Sequence, residues 1–562
     1  MAKNLEIEPE PQAISEAAGS RPGSMLRAMS YANLDAEKVL KGFGTFGAYQ
    51  MFVYAMANLG FFLYACETMI FSLIMEEPEF FCNTSGNLNS TLDQCEYFDS
   101  ETNSSVKCSS FSYVKGKHAF LTSEFDLVCD DAHYGEHSMS LFMFGSMLFT
   151  PILTQLADLY GRRITYLIPL WLAVLANIGC AFAPNYTLFL VFRFIAGIGT
   201  AGVGTIGFVI ILETIAPAFR SHTPLVSTIV WVAGYTTVGI VHIYIESWRW
   251  QFFILMAPFL LTFSFYWLLP ESIHWMITHR KTKGVTSWIK NSSKFNNKEL
   301  NLEGCKSSTP STPDEDPKKD NRKRTFLDLF SNGPMVFQLI SHCFIMIVMN
   351  FTYWALSLFS TDLHENKMIG YFLSGFVELP AAGAIFLLAY LGRRTVTSIS
   401  LLAQAVAMCV AVFFPGKNLI AMTLFLLVKV FNSVAWVAEP LLIGEMSPTS
   451  TRNMFYGVVG FIGEIGSIIA PYFNRLKAIH EAAPAFAVAL MSLIAGLLAL
   501  CSPETMNVPM PEDIDDFDPG AVYSWIFGKP RKNNRAKNIE LNVARKSSPP
   551  LLEPILEEAT KN

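Results

Sequence analysis

Apolar and polar positions divide the chain into long apolar runs, joined by short turns and by a few polar stretches. Twelve runs each hold the roughly 20 mostly apolar residues that a membrane-spanning helix requires. Their limits are 46–75, 137–158, 164–183, 186–212, 222–245, 249–269, 335–360, 367–390, 395–415, 418–444, 453–474 and 483–502. The runs are continuous rather than alternating, which argues against a β-barrel. They carry Gly and Pro in their interiors, as membrane helices tolerate. The pattern therefore predicts an all-α membrane protein with twelve transmembrane helices. The polar stretches are a tail at 1–45, a loop at 76–136, a second loop at 270–334 and a tail at 503–562. The first apolar run begins beyond residue 45, which speaks against a cleavable signal peptide.

Composition narrows the class. Of 562 residues, 51% are apolar and 16% charged, whereas a soluble domain carries about 25% charged residues. A net charge of −6 leaves no basic surplus for nucleic acid. Charge also orients the chain. Loop 76–136 holds 3 Lys/Arg against 12 Asp/Glu, and loop 270–334 holds 12 against 8. Arg162–Arg163 and Arg393–Arg394 follow the second and eighth runs. The positive-inside rule then places loop 270–334 and both tails in the cytoplasm and loop 76–136 outside, in a multi-pass plasma-membrane protein. Four of the ten cysteines, Cys82, Cys95, Cys108 and Cys129, lie in that acidic loop. An oxidising exterior favours two disulfides, with three pairings open. Asn83, Asn89 and Asn103 in the same loop head glycosylation sequons.

Three patterns occur twice. LADLYGRR ends at Arg163 and LLAYLGRR at Arg394; Glu213 precedes Arg220 by seven residues, and Glu445 precedes Arg452 by seven; Pro270–Glu271 closes the sixth run and Pro503–Glu504 the twelfth. Offsets of 231, 232 and 233 residues imply two six-helix halves in parallel orientation, 46–269 and 335–502. A transporter so built places its substrate site between the halves. Asp158, Arg162 and Arg163 fall at a tight turn beside acidic head groups. The pairs Glu213–Arg220 and Glu445–Arg452 are expected to close across their turns and latch a cytoplasmic gate.

Charges inside apolar runs cost about 2.5–3.5 kcal/mol each at the bilayer centre. The C-terminal half holds Glu378, Lys429, Glu439 and Glu464. At a rise of about 1.5 Å per residue, Glu464 lies about 18 Å and Glu378 about 22 Å from the cytoplasmic end, near mid-depth. Three acids against one base make a cavity that favours a cation; a Glu378–Lys429 ion pair with a packed Glu439 is the structural alternative. Tyr353, Trp354, Trp231, Tyr235 and Trp436 offer rings that attract organic cations by about 0.5–2 kcal/mol. Trp231 and Tyr235 share a helix face. No phosphate-binding loop, catalytic triad or metal-ligand spacing stands out, so neither an enzyme, a cofactor nor a metal is implied. His133 and His137 lie in a solvated acidic stretch.

LADLYGRR, RFIAGIGTAG (193–202), both Glu-x6-Arg pairs and LPES (269–272) resemble the major facilitator superfamily. GTFGAYQ (44–50), the Cys-rich loop, TSEFDLVC (122–129), YFLSGFVELPA (371–381) and GEMSPTSTRN (444–453) are similar to its organic cation/anion/carnitine branch. The resemblance covers roughly 42–505. It implies that Glu464 sits where an acid marks cation carriers and an arginine marks anion and carnitine carriers. It further implies that Glu378, Lys429 and Tyr353 are cavity residues. Two positions depart from the branch: the acid is Glu rather than the usual Asp, and Ala201 stands where cation carriers often have lysine. The expectation is a carrier of small organic cations embedded in the lipid bilayer. An organic anion or zwitterion exchanger anchored on Lys429, and a transport-inactive receptor using the outer loop, are the alternatives.

Overall fold

The structure, a computed structural model, describes residues 34–82, 91–93, 95–99, 104–220, 222–300, 302, 304–305, 326–330, 332–414, 418–506, 508, 510–511, 514 and 517–528. The spans are α1 (Ala48–Ile74), α2 (Cys129–Tyr160), α3 (Arg162–Phe182), α4 (Tyr186–Thr214), α5 (Thr223–Tyr244), α6 (Trp248–Thr278) and α7 (Gly333–Leu358). Then come α8 in three pieces, Lys367–Phe376, Leu379–Gly383 and Ala384–Leu391, and α9 (Arg393–Ala411), α10 (Leu419–Met446), α11 (Arg452–Ala478) and α12 (Ala483–Leu500). Eleven of these are long and apolar enough to cross a bilayer. α8 corrects the reading of 367–390 as one uniform helix. Pro380 lacks the N–H that would reach the carbonyl of Phe376, so the backbone tightens to a 3₁₀ turn around Leu379–Gly383.

The halves repeat each other in their packing. α3 packs on α4 and α6, and α1 on α4 and α5; six helices on, α9 packs on α10 and α12, and α7 on α10 and α11. Between the halves α2 meets α11 and α5 meets α8, contacts also related by a shift of six. Even the caps repeat: Asn185 accepts from Leu188 N (2.8 Å) to start α4, and Asn418 from Ala421 N (2.7 Å) to start α10. Small residues set the helix spacing within a half. A side chain at Gly197 on α4 would meet the carbonyl of Phe142 on α2 at 2.0 Å.

The loop between α1 and α2 carries two small antiparallel sheets. β1 (Phe80–Cys82) pairs with β5 (Phe111–Tyr113), and β2 (Thr91–Asp93), β3 (Glu96–Asp99) and β4 (Ser104–Lys107) form the other, with Glu96 opposite Lys107. The molecule thus has a loop face and, opposite it, a face bearing the two Gly-Arg-Arg turns. The largest apolar core crosses from one half to the other and draws on residues such as Tyr235, Phe351, Tyr371 and Phe473. On the Gly-Arg-Arg face a helix at Ala36–Gly42 docks through Val39 and Leu40 onto Ile273, Trp288 and Ile289.

Candidate functional site

The break in α8 places Glu378 beside α10. Lys429 Nζ lies 2.8 Å from Glu378 Oε1, with side chains 1% and 7% exposed. The ammonium also donates to Ser374 O (2.9 Å) and Ser374 Oγ (2.8 Å). It sits over the rings of Tyr235 (5.1 Å) and Tyr353 (5.4 Å). Tyr353 donates to Glu378 (3.1 Å), and Trp231 Nε1 donates to Tyr353 Oη (2.8 Å). Trp354 packs edge-on against Tyr353 at 5.3 Å. Glu439 is paired with His342 at 2.5 Å, both fully buried. Trp436 packs into the apolar clusters of the C-terminal half. Of the two readings the sequence left open, the structure shows the Glu378–Lys429 ion pair and a buried Glu439.

Glu464 stands apart. It lies half-buried on α11, whose Gly463 and Gly466 press against Met346 and Ile347 of α7. Among the described residues no basic side chain pairs with it. Its α7-side neighbourhood is polar, with Ser467 donating to Asn350 Oδ1 (3.0 Å). Across the interface, Tyr64 on α1 is within electrostatic range of Glu464. Tyr64 meets Trp231 at 5.2 Å, and Phe61 meets Trp231 at 5.6 Å. Phe61, Tyr64, Trp231 and Tyr353 thus form one aromatic cluster contributed by both halves, and Tyr64 is its member within electrostatic range of Glu464. Phe61 and Tyr64 escaped the sequence reading because α1 is aromatic on several faces.

The N-terminal half hides a second charged cluster. Glu67 on α1 and Arg193 on α4 are fully buried. Asn177 Nδ2 donates to Glu67 (2.5 Å), Thr200 also donates to it, and Arg193 donates to Asn177 Oδ1 (3.1 Å). The guanidinium lies over Phe71 at 4.0 Å and Phe142 at 4.2 Å. The signal for both was an isolated charge inside an apolar run, in YACETM and VFRFIAG.

Bonds between the halves gather toward the loop face. Arg475 pairs with Glu136 (2.8 Å), Lys367 with Glu76, and Tyr472 with His137 (2.8 Å). Deeper, Ser140 donates to Ile468 O (2.7 Å), Tyr235 meets Ser360 (3.2 Å), and Tyr371 donates to Tyr235 O (3.2 Å). The interface is thus fastened on the loop side of the Glu464 site. A cavity of ≈ 350 Å³, lined in part by Glu76, Glu77, Glu79, Glu365, Lys115 and Lys367, lies at this fastened end and not beside Glu464.

On the opposite face the expected pairs Glu213–Arg220 and Glu445–Arg452 give way to others. Arg162 bonds Asp158 (2.9 Å) and Glu213 (3.4 Å), and Arg393 bonds Glu445 (3.1 Å). Arg220 turns back to Leu212 O (3.1 Å) and to Glu37 (3.0 Å) on the helix at Ala36–Gly42, and Arg452 turns to Ser447 O (3.2 Å). The turn sends each late arginine back onto the end of the preceding helix, which leaves Glu213 and Glu445 to the arginine that starts a neighbouring one. Arg163 donates to Tyr266 O. The repeated Pro-Glu closes this arrangement. Glu271 accepts from the backbone N–H of Arg162 (2.8 Å) and Arg163 (3.1 Å), and Glu504 accepts from that of Arg393 (2.9 Å). Each carboxylate caps the positive end of a helix. Gly161 (φ +109°) and Gly392 (φ +82°) let the chain turn there, where a side chain would strike the capping carboxylate at 2.3 and 2.6 Å. Glu271 and Glu504 were visible as a repeat, but their capping role was not.

The loop disulfides join Cys82 to Cys108 and Cys95 to Cys129, which selects one of the three pairings. The sequon residues Asn83, Asn89 and Asn103 lie outside the described residues. Glu124 of the loop is held by Trp248 Nε1 (2.7 Å) and Arg249 (2.7 Å). Burial alone pushes its carboxyl up, but hydrogen bonds from Arg249, His118 and Trp248 outweigh it and hold Glu124 below the ordinary glutamate value.

Two similar six-helix halves, fastened at one face around a polar and aromatic interface, define a secondary carrier rather than an enzyme. The chain belongs to the Major Facilitator Superfamily, whose family model matches residues 131–471. It is 26% identical over 515 residues to the organic cation transporter protein of Drosophila melanogaster, covering 85% of this chain and 94% of the relative. It is 29% identical over 436 residues to solute carrier family 22 member 2 of Rattus norvegicus, covering 76% of each. Among solved structures it matches the inward-open xylose transporter XylE of E. coli with a TM-score of 0.57 at 14% identity, over 82% of this chain and 97% of that one. The chain is thus a multi-pass membrane transporter for a small organic substrate.

Proposed function

We propose that this transporter carries organic cations across the plasma membrane by alternating access, driven by the substrate gradient and the membrane potential. One observation carries the reading: Glu464 is an intramembrane acid at the interface that no basic side chain pairs with among the described residues, and Tyr64 of the shared aromatic cluster lies within electrostatic range of it. A cation entering the interface supplies the missing charge and stacks on Trp231 and Tyr64. Relatives named as organic cation transporter protein and as solute carrier family 22 members support the same assignment. The anion alternative needs Lys429 as a free anchor, and that ammonium is bound to Glu378.

The halves 46–269 and 335–502 rock about this site. The Asp158, Arg162, Glu213 and Arg393, Glu445 networks hold the Gly-Arg-Arg face, and Arg163, Arg220 and Arg452 brace the adjoining turns. The Gly-Arg-Arg face and both termini are cytoplasmic, and the disulfide-bonded loop, with its sequons at Asn83, Asn89 and Asn103, is extracellular. At about −60 mV a monovalent cation gains about 1.4 kcal/mol, or about tenfold accumulation.

The test is radiolabelled tetraethylammonium uptake with the potential clamped. Glu464→Gln is expected to abolish uptake while surface expression persists. Cation uptake that survives Glu464→Gln, or anionic dye uptake lost in Lys429→Ala with no cation uptake, overturns the assignment. Tight binding to the outer loop without flux supports a receptor instead.

A further inference from the structure

An exposed ring and a set of lysines beside the start of α1 have no part in the mechanism above. After α6 the chain forms a helix at Thr282–Asn296. Its apolar side, Val285, Trp288 and Ile289, packs in one cluster with Val39, Leu40, Ile273 and Met276. Its end is tied to the start of α1. Tyr49 N donates to Asn296 Oδ1 (2.9 Å), and Asn296 Nδ2 donates to Gln50 Oε1 (3.3 Å). The helix is thus fixed against the span, and its remaining faces have a set direction.

One of those faces continues the lipid-facing surface of α1. Phe295 is 54% exposed and stacks on Phe52 at 5.9 Å. Phe52, Ala55 and Leu59 are themselves exposed and recur at three and four residues, so they form one stripe of α1. On a membrane-spanning helix an exposed apolar stripe faces hydrocarbon. Phe52 lies in the second turn of α1, at the Gly-Arg-Arg face, where hydrocarbon gives way to head groups. Phe295 adds a ring to that end of the stripe.

The adjoining face is basic. From Arg280 to Lys298 the chain carries Arg280, Lys281, Lys283, Lys290, Lys294 and Lys298 and no acid, in a protein whose acids outnumber its bases 47 to 41. All six are exposed. Lys283, Lys290 and Lys294 are seven and four residues apart, so they share a helix face, turned away from the buried Val285 and Ser292. Lys294 lies about 100° around the helix from Phe295, on the flank from which a lysine stem reaches head groups. Among the described residues no acid pairs with Arg280, Lys281, Lys290, Lys294 or Lys298. Lysines one turn apart, as Lys290 and Lys294 are, repel each other, and the charge that would relieve them lies outside the chain.

We propose that the helix at Thr282–Asn296 docks on anionic phospholipid of the adjoining leaflet. Phe295 enters the boundary beside Phe52, and Lys290, Lys294 and Lys298 reach the head-group phosphates. Docking ties the start of α1 to the leaflet through Asn296. Anionic lipids mark the cytoplasmic leaflet, so the inference rests on the cytoplasmic placement of the Gly-Arg-Arg face and not on the charge of the substrate.

The test uses full-length protein in neutral-detergent micelles without substrate, titrated with short-chain phosphatidylserine or short-chain phosphatidylcholine, with the melting temperature as readout. Phosphatidylserine is expected to raise the melting temperature with a saturable midpoint, and phosphatidylcholine is not. Each lysine at an anionic surface strengthens binding about fivefold. The variant Lys290→Gln/Lys294→Gln/Lys298→Gln is therefore expected to melt like wild type without lipid and to need about a hundredfold more phosphatidylserine. Lys290→Arg/Lys294→Arg/Lys298→Arg is expected to keep the wild-type midpoint, and Phe295→Ser to weaken binding with every charge in place. An unchanged midpoint in the glutamine variant overturns the docking helix. Equal stabilisation by phosphatidylcholine overturns it too, by making the contact indifferent to charge. Equal stabilisation by glycerophosphoserine, which has the head group and no acyl chains, overturns it by making the site one for a soluble anion. Micelles present both faces of the protein and no transport is read, so the result stands whether or not the cation assignment does.

Discussion

Removing Lys429 is the perturbation that best separates a structural ion pair from a substrate anchor. Lys429→Met leaves the Glu378 carboxylate buried, 7% exposed, with Tyr353 as its remaining donor. Breaking a buried pair by deleting one partner costs about 3–5 kcal/mol, because the other charge is left uncompensated. Glu378→Gln leaves the ammonium with Ser374 alone and should cost a similar amount. The double variant Glu378→Gln/Lys429→Met removes both charges, and such replacements are often close to neutral. The coupling energy of the cycle is then at least about 3 kcal/mol, more than a hundredfold in the unfolding equilibrium. The assay is reversible unfolding of purified protein in mixed micelles, with each variant measured at one pH and salt. Additivity within about 0.5 kcal/mol would refute the reasoning. It would mean that Lys429 is not bound to Glu378 in the resting carrier, and it would return the lysine to the role of a free anion anchor.

Three further outcomes follow from the geometry. Gly392→Ala forces a side chain into a backbone region that essentially only glycine occupies and against the Glu504 carboxylate at 2.6 Å; a loss of about 1–3 kcal/mol is expected, read as a lower melting temperature. Glu504→Gln keeps the cap's shape but not its charge and is expected to cost about 0.3–1 kcal/mol; stability equal to wild type at low salt would discount the capping role. Glu124, held below the ordinary glutamate value by its bonds to Arg249, His118 and Trp248 against the upward push of burial, stabilises the loop fully above the ordinary value. That contribution is lost as pH falls through the lower folded value. Glu124→Gln should therefore flatten the acid side of the melting profile, and an unchanged acid limb would contradict the arrangement.

Much of the architecture was legible from apolar run lengths alone, because a bilayer imposes the same length on every span. The two-half organisation was legible from offsets of 231 to 233 residues. What those signals could not reveal was partner choice. Glu213 and Arg220 are seven apart and looked like a pair, yet Glu213 is bonded to Arg162, which lies about fifty residues earlier. Glu378 was readable as a second cation ligand or as the partner of Lys429, and only the break at Pro380, which sets it beside Lys429, chose between them. The length rule also missed that break, since a run of 24 residues reads the same whether or not its middle is helical. Glu67 and Arg193 were readable as buried charges but passed unnoticed among the aromatic and glycine-rich runs around them.

Composition and spacing by themselves determined that this is a helical membrane carrier with a repeated half, an acidic cysteine-bearing loop and a handful of intramembrane charges. Those properties depend only on what each residue is and how far it stands from the next. Tertiary structure decided which charge is left over. Pairing Lys429 with Glu378 and His342 with Glu439 depends on side chains from different helices arriving within about 3 Å of each other, and no spacing along one helix encodes that distance. The physical consequence is that electrostatic neutrality inside the membrane is settled between helices, and at the interface between the halves Glu464 is an acid for which that settlement supplies no ion-pair partner among the described residues.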